Sequence, residues 1–507
     1  MGADIQTNLF INNEYVPSST GETLAIYNPS TDELVTDKVQ VASEADIDNA
    51  VAAAKKAFVV WNGIPAAKRA AIMLKFADLL DAHAASIAKL ESMAMGQPIS
   101  LAKGMLKSSA AMWRYYAGSA GKIKGASFTP EAMGDNLYKI VEYVPLGVCA
   151  GICAWNGTHV LAAWKMAPAL AAGNTFILKT SEKSPLGACY YGDLIREAGF
   201  PPGAINVVAG AGPVGALLAG HMQIAKIAFT GSAMAGRAVC IAAAKSNLKH
   251  VSLELGGKSP ALIFDDADLG NAIKSNASDF LRNSGQICFA ASRVLVQETI
   301  APKFIEGVKK AFEDAANKMG DPSLDETAFG PLADNKQFER VMTFLNDGKA
   351  EGVQVLTGGE RMGDKGAFVK PTVLLNPDLK SKVYRDEIFG PVISVKTFKT
   401  EEEAIQMAND TTYGLGCKFF VLCLWMSTER GAATVFTSDV ARALRVAHAI
   451  EAGTVGVNSA FNTSPQTPFG GWKQSGFGRE SGEEGLMEYL QPKTIHINLS
   501  VGKSPKL

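Results

Sequence analysis

Residues 224–236 read Ile224-Ala225-Lys226-Ile227-Ala228-Phe229-Thr230-Gly231-Ser232-Ala233-Met234-Ala235-Gly236. A short, mostly apolar run ends at Thr230, and Gly231-Ser232 turns it into an Ala-rich segment that continues to Lys245. A strand that feeds directly into a helix is half of a βαβ unit. The same alternation recurs on both sides. Val144 to Ala154 reads as a buried strand ending in a loop at Trp155-Asn156, and His159 to Ala172 as a helix stopped by Gly173-Asn174. Thr175 to Leu178 is a strand ending at Lys179, and Ser184-Pro185 opens a helix with Ser as cap and Pro in its first turn. Ile205 to Val208 is a strand, Pro213 to Ala219 a short helix, Ile224 to Phe229 a strand, Ala233 to Lys245 a helix and His250 to Leu255 a strand. This is the pattern of a parallel α/β sheet covered on both faces.

The flanks follow from that frame. Residues 1–60 read as short strands and then a helix from Asp46 to Phe58, with Ser43 and Asp46 as a capping box. Residues 66–122 have helical period and predict two or three packed helices. After Gly256-Gly257 a second α/β region runs to about residue 470. The tail Thr494-Ile495-His496-Ile497-Asn498-Leu499 is a strand in want of a partner sheet.

The chain has 507 residues, 47% hydrophobic and 20% charged, so it can build large cores. With Lys+Arg at 49 and Asp+Glu at 50 it lacks the basic excess of a nucleic-acid binder. No apolar run approaches the ~18 residues that span a bilayer, and the polar start Met1 to Gln6 lacks a signal pattern. A cytoplasmic location is expected. Ser504-Pro505-Lys506-Leu507 only approaches a Ser-Lys-Leu peroxisomal address. The seven scattered cysteines fit reduced thiols, and the spacing of His and Cys predicts no metal site.

Several segments offer chemistry, each with a plain structural alternative. Gly210-x-Gly212-x-x-Gly215 follows a strand and matches a dinucleotide fingerprint. That fingerprint needs an acid about 20 residues on, and no Asp or Glu occurs from Ala198 to Leu253, so a tight turn is the better reading. Gly231-Ser232, with Gly236 one turn in, suits a pyrophosphate at a helix N-terminus, or is an ordinary cap. Lys179 and Glu182, just past a strand end, could hold a ribose, or form a solvated pair. Cys288 in Asn283-Ser284-Gly285-Gln286-Ile287-Cys288-Phe289 is either an activated thiol or an inert buried one. Glu254 ends an apolar strand, where a carboxylate must be paired or functional. Asn156 could supply an amide donor.

Taken together, Trp155-Asn156, Lys179-x-x-Glu182, Phe229-Thr230-Gly231-Ser232, Leu253-Glu254-Leu255-Gly256-Gly257-Lys258, Gly285-Gln286-Ile287-Cys288, Glu387-Ile388-Phe389-Gly390-Pro391 and Pro468-Phe469-Gly470-Gly471 resemble the aldehyde dehydrogenase superfamily, in its hydrolytic NAD(P)-dependent branch. The likeness covers nearly the whole chain. It implies a Rossmann-like parallel-sheet cofactor domain (1–121 and 146–256), an α/β catalytic domain (257–479) and a small bridging β element for oligomerisation (122–145 and 480–507), in a homodimer or homotetramer. It implies Cys288 as nucleophile, Glu254 as general base and Asn156 as oxyanion donor. Trp155, Lys179, Glu182, Gly212, Gly231, Ser232, Gly236, Leu255, Glu387 and Phe389 are the implied cofactor contacts. Gly157, Trp164, Ile287, Phe289 and Phe461 are the implied substrate neighbours. The cofactor expected is NAD, with NADP left open, and the product is a free acid because Glu254 is present. The rival readings are a cofactor-independent cysteine esterase and a non-catalytic scaffold.

Three departures stand out. The family commonly continues Trp-Asn with Phe-Pro; here Gly157-Thr158-His159 follows, which predicts a wider or more polar pocket. The phosphate turn Gly231-Ser232-Ala233-Met234-Ala235-Gly236 lacks the family's usual acid. Residues 417–432 separate Thr412-Tyr413-Gly414-Leu415-Gly416 from Thr434-Val435-Phe436-Thr437, which the family runs together almost directly, and they contain the apolar run Phe419 to Met426. We read 417–432 as a translated intron or gene-model error that interrupts one continuous buried strand, against a genuine loop or interface element. Uninterrupted transcript coverage of those codons would refute the first reading.

Overall fold

Ser43 Oγ accepts from the Asp46 N–H and the Asp46 carboxylate accepts from the Ser43 N–H, so the expected capping box starts helix Glu44–Gly63. The computed structural model describes residues 5–131, 136–418, 433–458 and 464–500. Three helices follow the first, Ala66–Ala82, Ala84–Met95 and Ile99–Ser119, and pack on one face of the first sheet.

That sheet has the strand order Glu14–Val16, Leu9–Ile11, Ile205–Val208, Thr175–Lys179, Val148–Ile152, Lys226–Thr230, His250–Glu254, Gly476–Phe477. Its five central strands are parallel, and both outer pairings are antiparallel. All four strands between residues 148 and 230 are wholly buried, which is why they read as unbroken apolar runs. The chain runs outward from Val148–Ile152 in one direction and then returns to its other side at Lys226–Thr230. The order therefore reverses between those two strands, and open α/β sheets bind ligands beyond the strand ends at such a point.

The second sheet runs Gln354–Thr357, Thr372–Leu375, Val392–Phe398, Ala291–Gln297, Ser259–Ile263, Ala433–Phe436, Cys417–Lys418, with Gly456–Val457 also on Ala433–Phe436. The tail strand finds its partner: Leu490–Asn498 pairs antiparallel with Leu137–Pro145 along its full length, and Ala126–Phe128 lies on the other side. Gly476–Phe477 joins the first sheet rather than the second.

Three local expectations change. The run from Val144 is two strands, because Val144 belongs to Leu137–Pro145 and Gly147, at φ +118, redirects the chain before Val148–Ile152. Ser184 is not a helix cap: its hydroxyl bonds Thr158 Oγ1 at 2.7 Å and the Trp155 carbonyl at 3.3 Å, and the helix begins at Leu186. Cys417–Lys418 and Ala433–Phe436 are not one strand but parallel neighbours in the sheet. Residues 419–432, the tail 501–507 with its Pro505-Lys506-Leu507 end, and Phe461 lie outside the described residues. No helix among the described residues is long and apolar enough to cross a membrane.

The pairing at Cys417–Lys418 consists of two register positions, as few as those of Gly456–Val457 and Gly476–Phe477. Removing residues 417–432 joins Gly416 directly to Ala433 and feeds the buried strand without that added edge. The shortened chain is expected to give at least the soluble yield and Tm of the full chain, measured by expression and thermal unfolding. A lower Tm would show that 417–432 stabilises the fold.

Candidate active site

Two clefts open on the strand ends of the first sheet. The smaller, about 220 Å³, is lined by Trp155, Asn156, Thr230, Gly231, Ser232, Leu255, Gly256, Cys288, Gln337, Arg340, Glu387 and Phe389. It lies at the point where strand order reverses, and it gathers loops from both sheets. The larger, about 690 Å³, is lined by Glu182, Lys183, Ala211, Pro213, Val214 and Leu217 on one side and by residues 22–29 on the other.

Cys288 follows a sharp turn. Asn283, Ser284 and Gly285 all have positive φ, at 50°, 55° and 71°, a conformation that costs about 1–3 kcal/mol for each non-glycine residue. Gly285 is required there, because a Cβ would stand 2.2 Å from the Gly390 carbonyl oxygen. The Asn283 amide holds the turn to its surroundings, donating to the Asn156 carbonyl at 3.1 Å and to the Gln286 carbonyl at 3.3 Å. Burial pushes the Cys288 thiol well up, and the Glu387 and Glu254 carboxylates push it the same way. Backbone N–H groups of Cys288 and Phe289 oppose them.

Glu254 is 4% exposed, and neither carboxylate oxygen has a hydrogen-bond partner among the described residues. Burial raises its carboxyl well above the usual range; Glu480 raises it further, while Lys165 and Arg479 act downward. Lys165 lies beneath it, bonded to Thr230 Oγ1 and Glu480 Oε1, both at 2.6 Å. A buried carboxyl without a partner among the described residues is costly, which makes Glu254 a candidate functional group.

Asn156 Nδ2 donates to the Gln286 carbonyl at 3.1 Å and faces the same cleft as Cys288. Glu387 accepts from the Gly257 N–H at 3.2 Å, and burial raises its carboxyl to about 7. Gly256 lets Glu387 approach closely, since a Cβ would stand 2.2 Å from Glu387 Oε2 and displace that carboxylate. Phe389, at φ +60, meets the Trp155 ring edge-on at 5.3 Å between centroids. Ser232 is both things at once: its hydroxyl accepts from the Ala235 N–H as a cap of helix Ala233–Lys245, and it lines the cleft. Gly236 packs on Leu255, where a Cβ would come within 2.7 Å. Lys179 Nζ stands 3.8 Å from Glu182 Oε2, with the lysine buried and the glutamate half-exposed. Gly212 is open, with nothing within 4 Å of its Cβ position, beside the cleft walls Ala211 and Pro213.

The aldehyde dehydrogenase family model matches residues 15–495. An aldehyde dehydrogenase from Emericella nidulans is 44% identical over 495 residues, which cover 97% of this chain and 95% of the relative. The chain belongs to the aldehyde dehydrogenase family. Human retinal dehydrogenase 2 is 42% identical over 503 residues, covering 97% of this chain and 92% of the relative. Betaine aldehyde dehydrogenase from Staphylococcus aureus in complex with NAD+ superposes with a TM-score of 0.91 at 34% identity, covering 98% of this chain and 95% of that one.

In this aldehyde dehydrogenase the implied substrate neighbours separate into two groups. Trp164 packs against Phe469 at 5.0 Å, and Phe469 against Phe289 at 5.6 Å. Ile287 instead joins the core of the second sheet with Phe280 and Phe304. At Gly157 a Cβ would meet only Leu161, at 3.7 Å, so no other side chain takes that space among the described residues. Four functional neighbours escaped the sequence. Gln337 and Arg340 hold the 387–389 loop through the Phe389 and Glu387 carbonyls, at 2.8 and 2.7 Å. Lys165 and Glu480 form the pair beneath Glu254. Only Lys165 left a signal, as the one charge on the helix Thr158–Ala171, thirteen of whose residues are buried. No group of His, Cys, Asp and Glu that could hold a metal occurs among the described residues.

Proposed function

We propose that the chain oxidises an aldehyde to the carboxylic acid with NAD, through a covalent adduct on Cys288. The observation that supports this most is the placing of Cys288, Asn156, Ser232, Glu387 and Phe389 around one cleft, with the unpartnered Glu254 carboxylate on the strand beside it. The residues fit a dinucleotide. Gly231-Ser232 and the helix start at Ala233 suit the pyrophosphate, Lys179 and Glu182 an adenosine ribose, and Glu387 the second ribose. Bound NAD supplies the acceptor for a hydride. The Cys288 thiol gives its proton up to solvent, and the thiolate sulfur adds to the aldehyde carbon while the C=O π pair moves to oxygen, which becomes an oxyanion. The Asn156 amide and the Cys288 backbone N–H are placed to hold it; losing one such donor typically costs about 3–4 kcal/mol. Once hydride has left, the carbon is a thioester. Glu254 then takes a proton from water, the water oxygen bonds to the acyl carbon, and the C–S bond breaks to release the acid and the thiolate.

A cofactor-free hydrolase would have no use for the Lys179–Glu182 pair or for the Ser232 turn. The half-exposed Glu182 accepts, so it favours a ribose with both hydroxyls and disfavours a 2′-phosphate. The test is a panel of aliphatic, aromatic and semialdehyde substrates, followed at the reduced-nicotinamide absorbance with each cofactor. NAD is expected to be preferred, and Glu182→Ala to raise the NAD Kd about tenfold while narrowing the gap to NADP. Ester turnover without NADH from any aldehyde would overturn the reading.

The bridging sheet supports a homo-oligomer. Its two edge strands, Ala126–Phe128 and Leu490–Asn498, carry mostly exposed side chains and unpaired backbone edges suited to a second copy of the chain.

A further inference from the structure

In the first turn of helix Thr158–Ala171, among residues that do not line the cleft, lies a polar cluster that the chemistry above does not use. His159 is 2% exposed. Its Nδ1 meets the Tyr191 hydroxyl at 2.5 Å, and its Nε2 faces Glu91 Oε1 at 3.3 Å. Glu91 is 1% exposed, and Nε2 and Oε1 face each other at that distance without a hydrogen bond, either to each other or to another described residue. Backbone seals the pair. A Cβ on Gly187 would stand 2.6 Å from Glu91 Oε1 and 2.7 Å from His159 Cε1. The Tyr191 hydroxyl and His159 Nδ1 share one hydrogen bond, and the Glu91 carboxyl faces the other ring nitrogen.

This cluster lies three residues from Asn156. Between them Gly157 breaks the helical path, at φ −157 and ψ 45, and has no side chain to fix it. The turn is otherwise pinned from three directions. Ser184 Oγ holds the Thr158 hydroxyl and the Trp155 carbonyl. Gln97 Nε2 and Asn283 Nδ2 both donate to the Asn156 carbonyl, at 3.4 and 3.1 Å. Gln97 and Glu91 stand on the same corner of the fold, one just past the end of helix Ala84–Met95 and the other within it. An apolar contact at residue 159 would let the helix start slide by fractions of an ångström, whereas a directional hydrogen bond to Tyr191 on one side of the ring and a buried carboxyl facing the other restrict its register.

We propose that Glu91, His159 and Tyr191 form a buried latch that sets the register of the helix start and thereby aims the Asn156 amide at the oxyanion. His159 is on this account a positioning residue. The inference rests on the reading of Asn156 as oxyanion donor.

The test is a double-mutant cycle in the full chain with NAD and an accepted aldehyde. His159→Leu and Tyr191→Phe are each made alone and in an Asn156→Ala background. In the wild-type background each is expected to lower kcat about tenfold, as displaced donors do, with the NAD Kd unchanged. His159→Gln, which can still meet Glu91, restores part of kcat. His159→Leu leaves the buried Glu91 carboxyl facing an apolar side chain and is expected to lower Tm; Tyr191→Phe, which only removes the hydroxyl, is expected to lower it less and carries the test where His159→Leu fails to fold. In the Asn156→Ala background the same substitutions should change kcat less than about twofold, because the group they aim is gone. Wild-type kcat in both His159→Leu and Tyr191→Phe overturns the latch. So does an equal loss in both backgrounds, which marks a general packing effect. Wild-type kcat in Asn156→Ala alone is a separate failure, that of the oxyanion reading itself.

Discussion

Glu254→Gln is expected to lower steady-state kcat by about 10²–10⁴-fold, the usual span for losing a positioned general base, while leaving a burst of NADH equal to the enzyme present. Glutamine keeps the shape of the side chain in a site where neither carboxylate oxygen is hydrogen-bonded, so the fold loses no partner. What it loses is the ability to take a proton from water. Acylation of Cys288 still proceeds, hydrolysis of the thioester does not, and the acyl enzyme accumulates. Intact-protein mass measurement would find the acyl group added, and peptide mapping would place it on Cys288. A variant that shows neither burst nor adduct would move Glu254 to an earlier step, in which it deprotonates the thiol.

The same carboxylate predicts a pH profile. Burial, with Glu480 nearby, raises the Glu254 carboxyl well above its ordinary value. A raised carboxyl is protonated below its folded pKa, and only the ionised form is a base. Hydrolysis therefore strengthens as pH rises through that raised value and fades as pH falls. For stability the sign runs the same way as for any raised acid: the folded state holds the proton more tightly, so its contribution is greatest at low pH and is lost as pH rises through the raised pKa. Activity and stability at this one residue thus move in opposite directions, and Glu254→Gln removes both slopes.

How much of this was legible follows from where the information lies. The five parallel strands between residues 148 and 254 are short, buried and bounded by turns, so local composition alone reveals them. Cys288, Glu254, Asn156 and Ser232 stand at strand ends or turns, where a reactive side chain interrupts an apolar run. Ser184 misled because a serine before a proline has the look of a cap, while its hydroxyl is claimed by Thr158 and Trp155 from another part of the chain. The Lys165–Glu480 pair spans 315 residues, and Gln337 reaches the Phe389 carbonyl 52 residues away. Neither distance leaves a periodic trace. The latch is the intermediate case. His159 is visible as a departure after Trp155-Asn156, but nothing in the sequence ties it to Glu91 on a helix 68 residues earlier.

Cys288→Ala is expected to abolish NADH formation, by at least about 10⁴-fold, while NAD binding persists within about twofold, since no cofactor contact is removed. The loss should be this complete because no other cysteine among the described residues lines the cleft. Cys149, Cys153 and Cys189 are buried away from it; burial pushes each thiol up to about 12, and it pushes Cys288 up as well, so access to the cleft sets Cys288 apart. Cys153 is the sharpest comparison. It ends the same strand region that leads to Asn156, and both Lys165 and Lys179 pull its thiol downward, yet burial outweighs them. Cys240 is partly exposed on helix Ala233–Lys245, and no cleft residue of the second sheet accompanies it. Among the described cysteines, Cys288 alone combines exposure to the cleft, backbone N–H groups at its sulfur and a carboxylate within electrostatic reach. An alkylating reagent should accordingly inactivate the protein in step with modification of residue 288, read by peptide mapping, with Cys149, Cys153 and Cys189 untouched until the chain unfolds. Oxidation of aldehyde by Cys288→Ala at a rate near the parent's would mean that the carbonyl is never captured by sulfur, and the role given to the Asn156 amide would go with it, since there would be no adduct for it to hold.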